Sequence, residues 1–166
     1  MATKLYSNKQ EKMIAEYLGW ETVAASGARD FCPGDVRSAD WLGECKTHVG
    51  VRDRILVDAK VWAKIEQEAM SVFKKPVLFV DDGTQKADHT WCVFDFHKVC
   101  EDKVKTFDPN FRTKVNLIFK HSILLPAYNM VKRNSDKPVV ATFQLQEKSL
   151  GIMSLYDFNE LFGLEG

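Results

Sequence analysis

The residues of this chain best suited to chemistry are Asp35, Glu44 and Lys46. Glu44 and Lys46 are two residues apart, so on an extended strand both side chains point to one face while Cys45 points to the other. Asp35 precedes the polar turn Ser38-Ala39-Asp40, which would fold its strand back beside that of Glu44. Hard divalent cations prefer carboxylate oxygens, and a nearby ammonium group suits a phosphate or the water that attacks it. The spacing therefore predicts metal-assisted hydrolysis of a phosphodiester.

This pattern alone is loose, and its surroundings decide how it is interpreted. Surface hairpins often carry Glu and Lys two residues apart as a solvated face, and on spacing alone that interpretation is the better one. Three features favour a functional site. The strand also contains Trp41, Leu42 and Cys45, a Ser-Gly loop precedes it, and a long amphipathic helix and an apolar strand follow it. We therefore expect the motif to be partly buried.

A helix is expected before the motif. Ser7-Asn8-Lys9-Gln10 has the form of a capping box, and the helix that it opens would end at Gly19. Glu11 lies about 20° from Leu18 around this helix at ~100° per residue, so it faces inward, where an unpaired carboxylate is unfavourable. A carboxylate near the first turn, favoured by the helix dipole, is an equally good explanation of Glu11. The apolar stripe consists of Met13, Ile14, Tyr17 and Leu18.

The motif itself is predicted to lie on paired strands beside a crossover helix. Residues 35–37 and 41–47 predict an antiparallel pair, followed by a polar connection. Asp58 is the expected N-cap of a helix over residues 59–74. Residues 76–80 form an apolar run typical of a buried strand parallel to a neighbour. The apolar face of the helix would consist of Val61, Ile65, Ala69, Val72 and Phe73.

Composition limits the class of protein. The chain has 166 residues, 45% hydrophobic and 28% charged, as in an ordinary globular domain. No apolar run approaches the ~20 residues that span a bilayer, and no apolar signal segment is present, so we expect a cytoplasmic protein. The four cysteines and four histidines form no zinc-binding spacing, which favours reduced thiols. The formal net charge is zero, so binding to DNA would depend on local basic clusters.

Taken in order, the motifs of residues 7–80 resemble those of the PD-(D/E)xK nuclease superfamily. The likeness is greatest to small phage and prokaryotic endonucleases that are similar to archaeal Holliday-junction resolvases. Gly34 stands where the family name has proline, and Pro33 is one position earlier. The matching segments are Ser26-Gly27-Ala28, Gly34-Asp35-Val36, Glu44-Cys45-Lys46-Thr47, residues 62–69 and Lys75-Pro76-Val77-Leu78.

The resemblance implies a fold and a metal site. The fold would be α/β, with a restriction-endonuclease-like mixed central sheet flanked by helices. Asp35 and Glu44 would bind the metal together with the backbone carbonyl of Cys45, and Lys46 would orient or activate the attacking water. The metal would be Mg²⁺, for which Mn²⁺ can substitute, because Mg²⁺ needs few protein ligands and keeps waters. Glu11 would complete the site, and Glu68, on the apolar face of the crossover helix, would support it.

Basic residues after the motif form the expected DNA-facing edge. In the preceding loop, Ser26 and Arg29 are candidates because small residues let backbone N–H groups approach a phosphate. The alternatives are a solvated charged face for the cluster and a snorkelling side chain for Lys64. The histidines His89, His97 and His121 have no partner visible in the sequence. The candidate DNA-binding residues are Ser26, Arg29, His48, Arg52, Arg54, Lys60 and Lys64.

The second half contains a faint repeat. Lys-Pro-Val at 75 and again at 137 precedes Asp-Phe by twenty residues. Backward alignment with a one-residue gap sets Arg112 against Arg37, Lys120 against Lys46 and Ile118 against Glu44. This predicts a degenerate internal copy that kept the scaffold and lost the metal ligand. Chance similarity between two ordinary strand–helix units is the favoured alternative.

The leading hypothesis is a Mg²⁺-dependent endodeoxyribonuclease that hydrolyses branched or structured DNA, as the resolvases it resembles do. The rivals are a catalytically inactive nuclease-fold module that binds DNA or protein, and a nicking or restriction-type endonuclease. Residues 1–100 would form the nuclease core and residues 101–166 a C-terminal strand–helix elaboration packed on it, unless both form one continuous domain. The partner would be DNA and no membrane, with a homodimer and a single-chain pseudo-dimer both open. The expected location is the cytoplasm of a prokaryotic or phage-infected cell.

Overall fold

A computed structural model describes residues 2–23, 33–98, 101–113 and 115–164, which contain four α-helices and eleven strands. The helices are α1 (Ala2–Leu18), α2 (Ala59–Ser71), α3 (His121–Arg133) and α4 (Leu155–Phe162). The strands are β1 (Glu21–Thr22), β2 (Val36–Arg37), β3 (Trp41–Lys46), β4 (Ile55–Asp58), β5 (Lys75–Val80), β6 (Trp91–Phe94), β7 (Lys105–Phe107), β8 (Arg112–Thr113), β9 (Asn116–Phe119), β10 (Val139–Leu145) and β11 (Lys148–Ser154). Within these residues, no helix is long and apolar enough to cross a bilayer.

Nine of these strands form one mixed sheet with helices on both faces. The order is β1-β2-β3-β5-β6-β11-β10-β7, with β8 also beside β10. Neighbours are antiparallel except where β3 meets β5 and where β10 meets β7 and β8. One face packs against α1 and α4, and the other against α2, α3 and the ribbon of β4 and β9. This architecture confirms the predicted α/β class with a mixed sheet flanked by helices.

The strands around the motif form as predicted. β2 and β3 pair antiparallel with Val36 opposite Gly43, and β5 runs parallel to β3 with Leu42 opposite Pro76. The predicted buried strand is β5, in which every residue from Pro76 to Val80 is buried. Burial on both faces suits a strand with a parallel neighbour, because a helix covers each side.

The helix α1 begins earlier than the capping box predicts. It starts at Ala2, so Ser7 lies inside the helix and the predicted start is wrong. Gln10, the last residue of the proposed box, is fully buried, and its Nε2 donates a hydrogen bond to the backbone carbonyl of Lys46 at 2.8 Å. The side chain of Gln10 therefore binds a distant strand and does not cap the helix. The predicted end is confirmed, because Gly19 adopts a φ of +70°.

The helix α2 begins where the sequence predicts. Oδ1 of Asp58 accepts hydrogen bonds from the N–H groups of Lys60 at 2.8 Å and Val61 at 3.3 Å, which makes Asp58 the N-cap. Ile65 and Ala69 are buried against the sheet as expected. The helix is thereby fixed at its N-terminal end.

The other end of α2 differs from the prediction. The helix ends at Ser71 and not at Lys74, because Phe73 adopts a left-handed φ of +59°. In that conformation Phe73 N–H donates to the carbonyl of Met70 and closes the helix. Val72 and Phe73, predicted on the apolar face, are 37% and 97% exposed.

The arrangement of parallel and antiparallel strands is the same on both sides of the centre of the sheet. Outward from the antiparallel pair β6–β11, each side has an antiparallel strand (β5 or β10) and then a parallel one (β3 or β7). Both parallel pairs join residues 34 positions apart, Trp41 with Lys75 and Lys105 with Val139. The strands that precede α2 and α3 pair with each other. The two halves of the chain thus share a topology, and the β6–β11 pairing joins them in one sheet.

The residue alignment predicted for this repeat is wrong. Ile118 lies in β9, which pairs with β4, whereas β7 occupies the place that corresponds to β3. Val77 and Val139, aligned through the shared Lys-Pro-Val, face opposite sides of the sheet. The repeat is therefore visible in the order of strands and not in the alignment of Lys120 with Lys46.

The exposed Phe73 gives a test of this description of α2. A bulky residue in the left-handed region costs ~1–2 kcal/mol relative to glycine. We expect Phe73→Gly to raise the free energy of unfolding by about 1 kcal/mol, measured by urea denaturation. The control is Met70→Gly, in the last turn of the same helix and 70% exposed, which should lower it by about 1 kcal/mol. If both substitutions change the free energy of unfolding in the same direction, the assigned end of the helix is wrong.

Candidate active site

Glu44 and Lys46 lie on the face of the sheet that carries α2. Leu42 packs in the core beneath α2, and because side chains alternate along a strand, Glu44 and Lys46 follow on the same face. Cys45 is buried on the opposite face beside α1. The side chains of Glu44 and Lys46 are 13% and 52% exposed, and Lys46 Nζ lies 3.4 Å from Glu44 Oε1. The carboxylate is thus sheltered and the amine reaches solvent.

Asp35 is fixed against Glu44 by the backbone of the hairpin. Its N–H donates to the carbonyl of Gly43 at 2.8 Å, which extends the pairing of β2 and β3 by one residue. Its Oδ2 accepts a hydrogen bond from Cys45 N–H at 2.9 Å. The carboxyl groups of Asp35 and Glu44 then lie close enough to shift the pKa of each other. Two carboxyl groups from the two arms of this hairpin therefore lie side by side.

The helix α1 brings a third carboxyl group near this pair. Gln10 binds the backbone of Lys46, which holds this part of α1 against the end of β3. Glu11 follows directly, is partly buried, and feels the charges of Asp35, Glu44 and Lys46. The sequence argument that Glu11 faces inward thus agrees with its position.

Burial and mutual repulsion raise the pKa values of these carboxyl groups. Burial raises the pKa of Glu44 to about 7, the negative charge of Asp35 adds to the effect, and Lys46 opposes it. Burial, with the charges of Asp35 and Glu44, also raises the pKa of Glu11 to about 7. Burial raises the pKa of Asp35, although the hydrogen bond from Cys45 N–H lowers it. Three carboxyl groups beside one ammonium group therefore favour binding of a proton or a cation.

The residues present fit a hard divalent cation. In the part of the chain that the structure describes, no three His, Cys, Asp or Glu side chains are grouped closely enough to hold a metal by themselves. Mg²⁺ keeps several waters, so the carboxylates of Asp35 and Glu44 with the carbonyl of Cys45 are sufficient, and Glu11 would be an outer neighbour. Oε1 of Gln10 is buried and has no hydrogen-bond partner among the described residues. A buried amide oxygen of this kind can accept a hydrogen bond from a water of such an ion.

Glu68 supports the turn that carries Asp35. Its Oε2 accepts a hydrogen bond from Gly34 N–H at 3.0 Å, and its Oε1 lies 3.7 Å from Lys64 Nζ. Gly34 has a φ of +76°, and a Cβ there would come within 2.7 Å of the Leu42 side chain. A glycine is therefore the residue that fits this turn.

The basic candidates lie on two elements. Arg52 and Arg54 are exposed in the connection after β3, whereas Lys60 and Lys64 are exposed on α2. His48 is instead engaged in holding that connection: Nδ1 lies 2.9 Å from the carbonyl of Gly50, and Nε2 lies 3.2 Å from that of Arg54. The structure therefore gives His48 a place in the loop and leaves the two arginines and two lysines accessible. Ser26 and Arg29 lie outside the described residues.

Sequence reasoning misses two buried acids directly after β5. Asp81 accepts a hydrogen bond from Thr47 Oγ1 at 2.6 Å, and Asp82 lies 2.6 Å from Nδ1 of His89. Because parallel strands end at the same edge of a sheet, two acids after β5 lie beside the end of β3, and this signal could have identified them. They join the loops that follow β3 and β5, and they give His89 the partner that the sequence does not show.

The likeness to the PD-(D/E)xK superfamily rests on the sequence motifs alone. No protein-family model, curated protein or solved structure matches this chain. Its own side chains supply the description of the site: Asp35 and Glu44 close together, Lys46 beside them, and Glu11 behind them.

The raised pKa values predict how stability depends on pH. Between about pH 4.5 and pH 7 the folded protein keeps protons on Glu44 and Glu11 that the unfolded chain releases. The contribution of these groups to stability therefore falls as the pH rises through this window. We expect the melting temperature of the metal-free protein, relative to that of Glu44→Gln, to fall from pH 4.5 to pH 7.5.

Saturating Mg²⁺ is the matched condition for this experiment. A bound cation favours the ionised carboxyl groups. Mg²⁺ should therefore remove the fall in melting temperature of the wild-type protein with pH, and it should leave the pH profile of Glu44→Gln unchanged. If the melting temperatures of the two proteins change with pH in the same way, both with and without Mg²⁺, the raised pKa values assigned to this site are wrong.

Proposed function

We propose that this protein is a Mg²⁺-dependent DNA endonuclease. The observation that carries the proposal is the proximity of the carboxyl groups of Asp35 and Glu44, with Lys46 Nζ 3.4 Å from Glu44 Oε1. Hydrolysis of a phosphodiester needs groups that hold a cation, groups that orient a water, and positive charge at the phosphate. Strand β3 and Asp35, the residue directly before β2, together carry these groups.

Each side chain has a defined task in this proposal. Asp35 and Glu44, with the carbonyl of Cys45, would hold Mg²⁺, which would supply positive charge at the phosphate and lower the pKa of a bound water. Lys46 orients the attacking water and stabilises negative charge on the phosphorane. Its side chain is 52% exposed, so it can reach a phosphate that arrives from solvent. The products would carry 5′-phosphate and 3′-hydroxyl ends.

Glu11 has a separate task. Burial and its acidic neighbours raise its pKa to about 7, a value suited to exchange of a proton near neutral pH. An outer carboxyl group of this kind can accept a hydrogen bond from a water held by the inner pair. Gln10, with its buried Oε1, is a neutral acceptor on the same side of the site.

The surface near the site suits a nucleic acid. Arg52 and Arg54 are exposed in the loop after β3, and Lys60 and Lys64 are exposed on α2, which covers the face of the sheet that carries Glu44. Because the formal net charge of the chain is zero, this local cluster would supply the attraction for phosphates. Branched or structured DNA is the substrate class implied by the resemblance to resolvases, in the cytoplasm of a prokaryotic or phage-infected cell.

The repeated topology bears on how many cuts one chain makes. β7, the counterpart of β3, contains Lys105, Thr106 and Phe107 and no carboxylate. One chain would therefore carry one site and make one cut, which favours nicking by a monomer. Two symmetric cuts in a four-way junction would need a homodimer. Light scattering with and without a junction separates the two arrangements.

The catalytic assignment is tested with two isosteric variants. We expect Glu44→Gln and Lys46→Met each to lower the rate of cleavage at least about a hundredfold, because each removes a group that acts at the reacting phosphate. The measurement uses duplex, single-stranded, flap and four-way-junction DNA with Mg²⁺. Binding with Ca²⁺ in place of Mg²⁺ should change little for either variant.

The control for loss of a cation is Lys98→Met, an exposed lysine on the 3-10 helix Phe96–Lys98, which should keep full activity. Tight binding without cleavage by the wild-type protein would identify an inactive nuclease-fold module. A fixed cleavage sequence on linear duplex would identify a restriction-type enzyme. Undiminished cleavage by Glu44→Gln would mean that the chemistry lies elsewhere.

A further inference from the structure

A cavity of about 280 Å³ opens directly beside Lys46. It lies between the end of β3, strand β5, strand β4 and the first turn of α2. Its walls are apolar, and its rim is polar, as in sites for small planar ligands. The wall residues are Leu56, Val61, Leu78 and Val80, and the rim residues are Lys46, Thr47, His48, Asp58 and Asp81.

Leu56 is the wall residue that most needs an explanation. It is 43% exposed, and it points away from its buried strand neighbours Ile55 and Val57. Its partner across the ribbon, Ile118, is 50% exposed and does not line the cavity. An apolar side chain that forms the open wall of a cavity can contact a ligand without any rearrangement.

Lys46 belongs to both the cavity and the candidate active site. A phosphodiester that contacts Lys46, with a cation on Asp35 and Glu44, would therefore have its neighbouring nucleoside at the mouth of the cavity. A nucleobase has two apolar faces and a polar edge, which matches apolar walls with a polar rim. Asp58 offers a free acceptor for that edge: its Oδ1 caps α2, and its Oδ2 has no hydrogen-bond partner in the described part of the chain.

A base that is paired and stacked in a duplex cannot enter a cavity of this kind. An unpaired base enters at little cost in free energy, because no base pair has to be broken. We propose that the cavity receives the unpaired base next to the scissile phosphate, so that the enzyme selects DNA with an unpaired nucleotide at the cut. This inference rests on the proposed nuclease function and specifies its substrate.

The test uses DNA that contains one bulged nucleotide at the mapped cleavage position. The same DNA is prepared with an abasic residue at that position, which keeps the phosphate and removes the base. Because stacking and contacts of one base contribute ~1–3 kcal/mol, we expect the wild-type protein to cut the abasic DNA at least about fivefold more slowly at low substrate concentration. The difference should appear in KM more than in kcat.

Leu56→Trp fills the cavity and should abolish the difference between the two DNAs. The matched control is Ile118→Trp, the same substitution at the paired position outside the cavity, which should keep the wild-type difference. Val61→Trp, on α2, fills the cavity from another element and should act as Leu56→Trp does. Circular dichroism establishes that each variant is folded.

A binding experiment gives a second measurement that needs no cleavage. With Ca²⁺ and 2-aminopurine as the bulged base, the wild-type protein and Ile118→Trp should change its fluorescence, and Leu56→Trp should not. If the wild-type protein cuts both DNAs equally well, or Leu56→Trp keeps the base preference, the cavity assignment is overturned while the nuclease function stands. If the wild-type protein neither binds nor cuts any of the DNAs, the nuclease function fails and the cavity assignment fails with it.

Discussion

The crowding of acidic groups on β3 and beside β2 is the constraint on which the site depends. Asp35 and Glu44 are close together at a sheltered place, and Glu11 adds a third charge nearby. Burial raises the pKa of Glu44 to about 7, and the negative charge of Asp35 adds to this effect more than Lys46 offsets it. The arrangement becomes favourable when a divalent cation supplies the missing charge.

The surrounding fold holds the acids in place against this repulsion. On the α2 side, Glu68 accepts a hydrogen bond from Gly34 and so fixes the turn before Asp35. On the α1 side, the buried Gln10 binds the backbone of Lys46. These contacts come from two helices on opposite faces of the sheet, so the position of the acids depends on the whole α/β core. A loop could not hold repelling groups together in this way.

Local rules predict the parts of the structure that local physics controls. Alternation along β3 places Glu44 and Lys46 on one face, and the N-cap at Asp58 follows from its side chain alone. Features that depend on distant partners escape such rules. Gln10 fits a capping box in the sequence, but the carbonyl of Lys46 takes its amide. The turn at Phe73 escapes too, because nothing in its residue type indicates a left-handed conformation. Of the candidate site, the acidic pair and the lysine follow from spacing, whereas the roles of Asp81 and Asp82 require knowledge of which strand ends are neighbours.

The repeated topology supplies an internal comparison that bears on why the acids are present. β7 takes the same place beside β10 that β3 takes beside β5, and it does so with Lys105, Thr106 and Phe107. The scaffold therefore forms a parallel strand at this place without any carboxylate. Glu44 in β3 and Asp35 beside it lower the stability of the metal-free protein near neutral pH, since their pKa values are raised. Residues that the fold does not need, and that it holds at a loss of stability, are best explained by chemistry at the site.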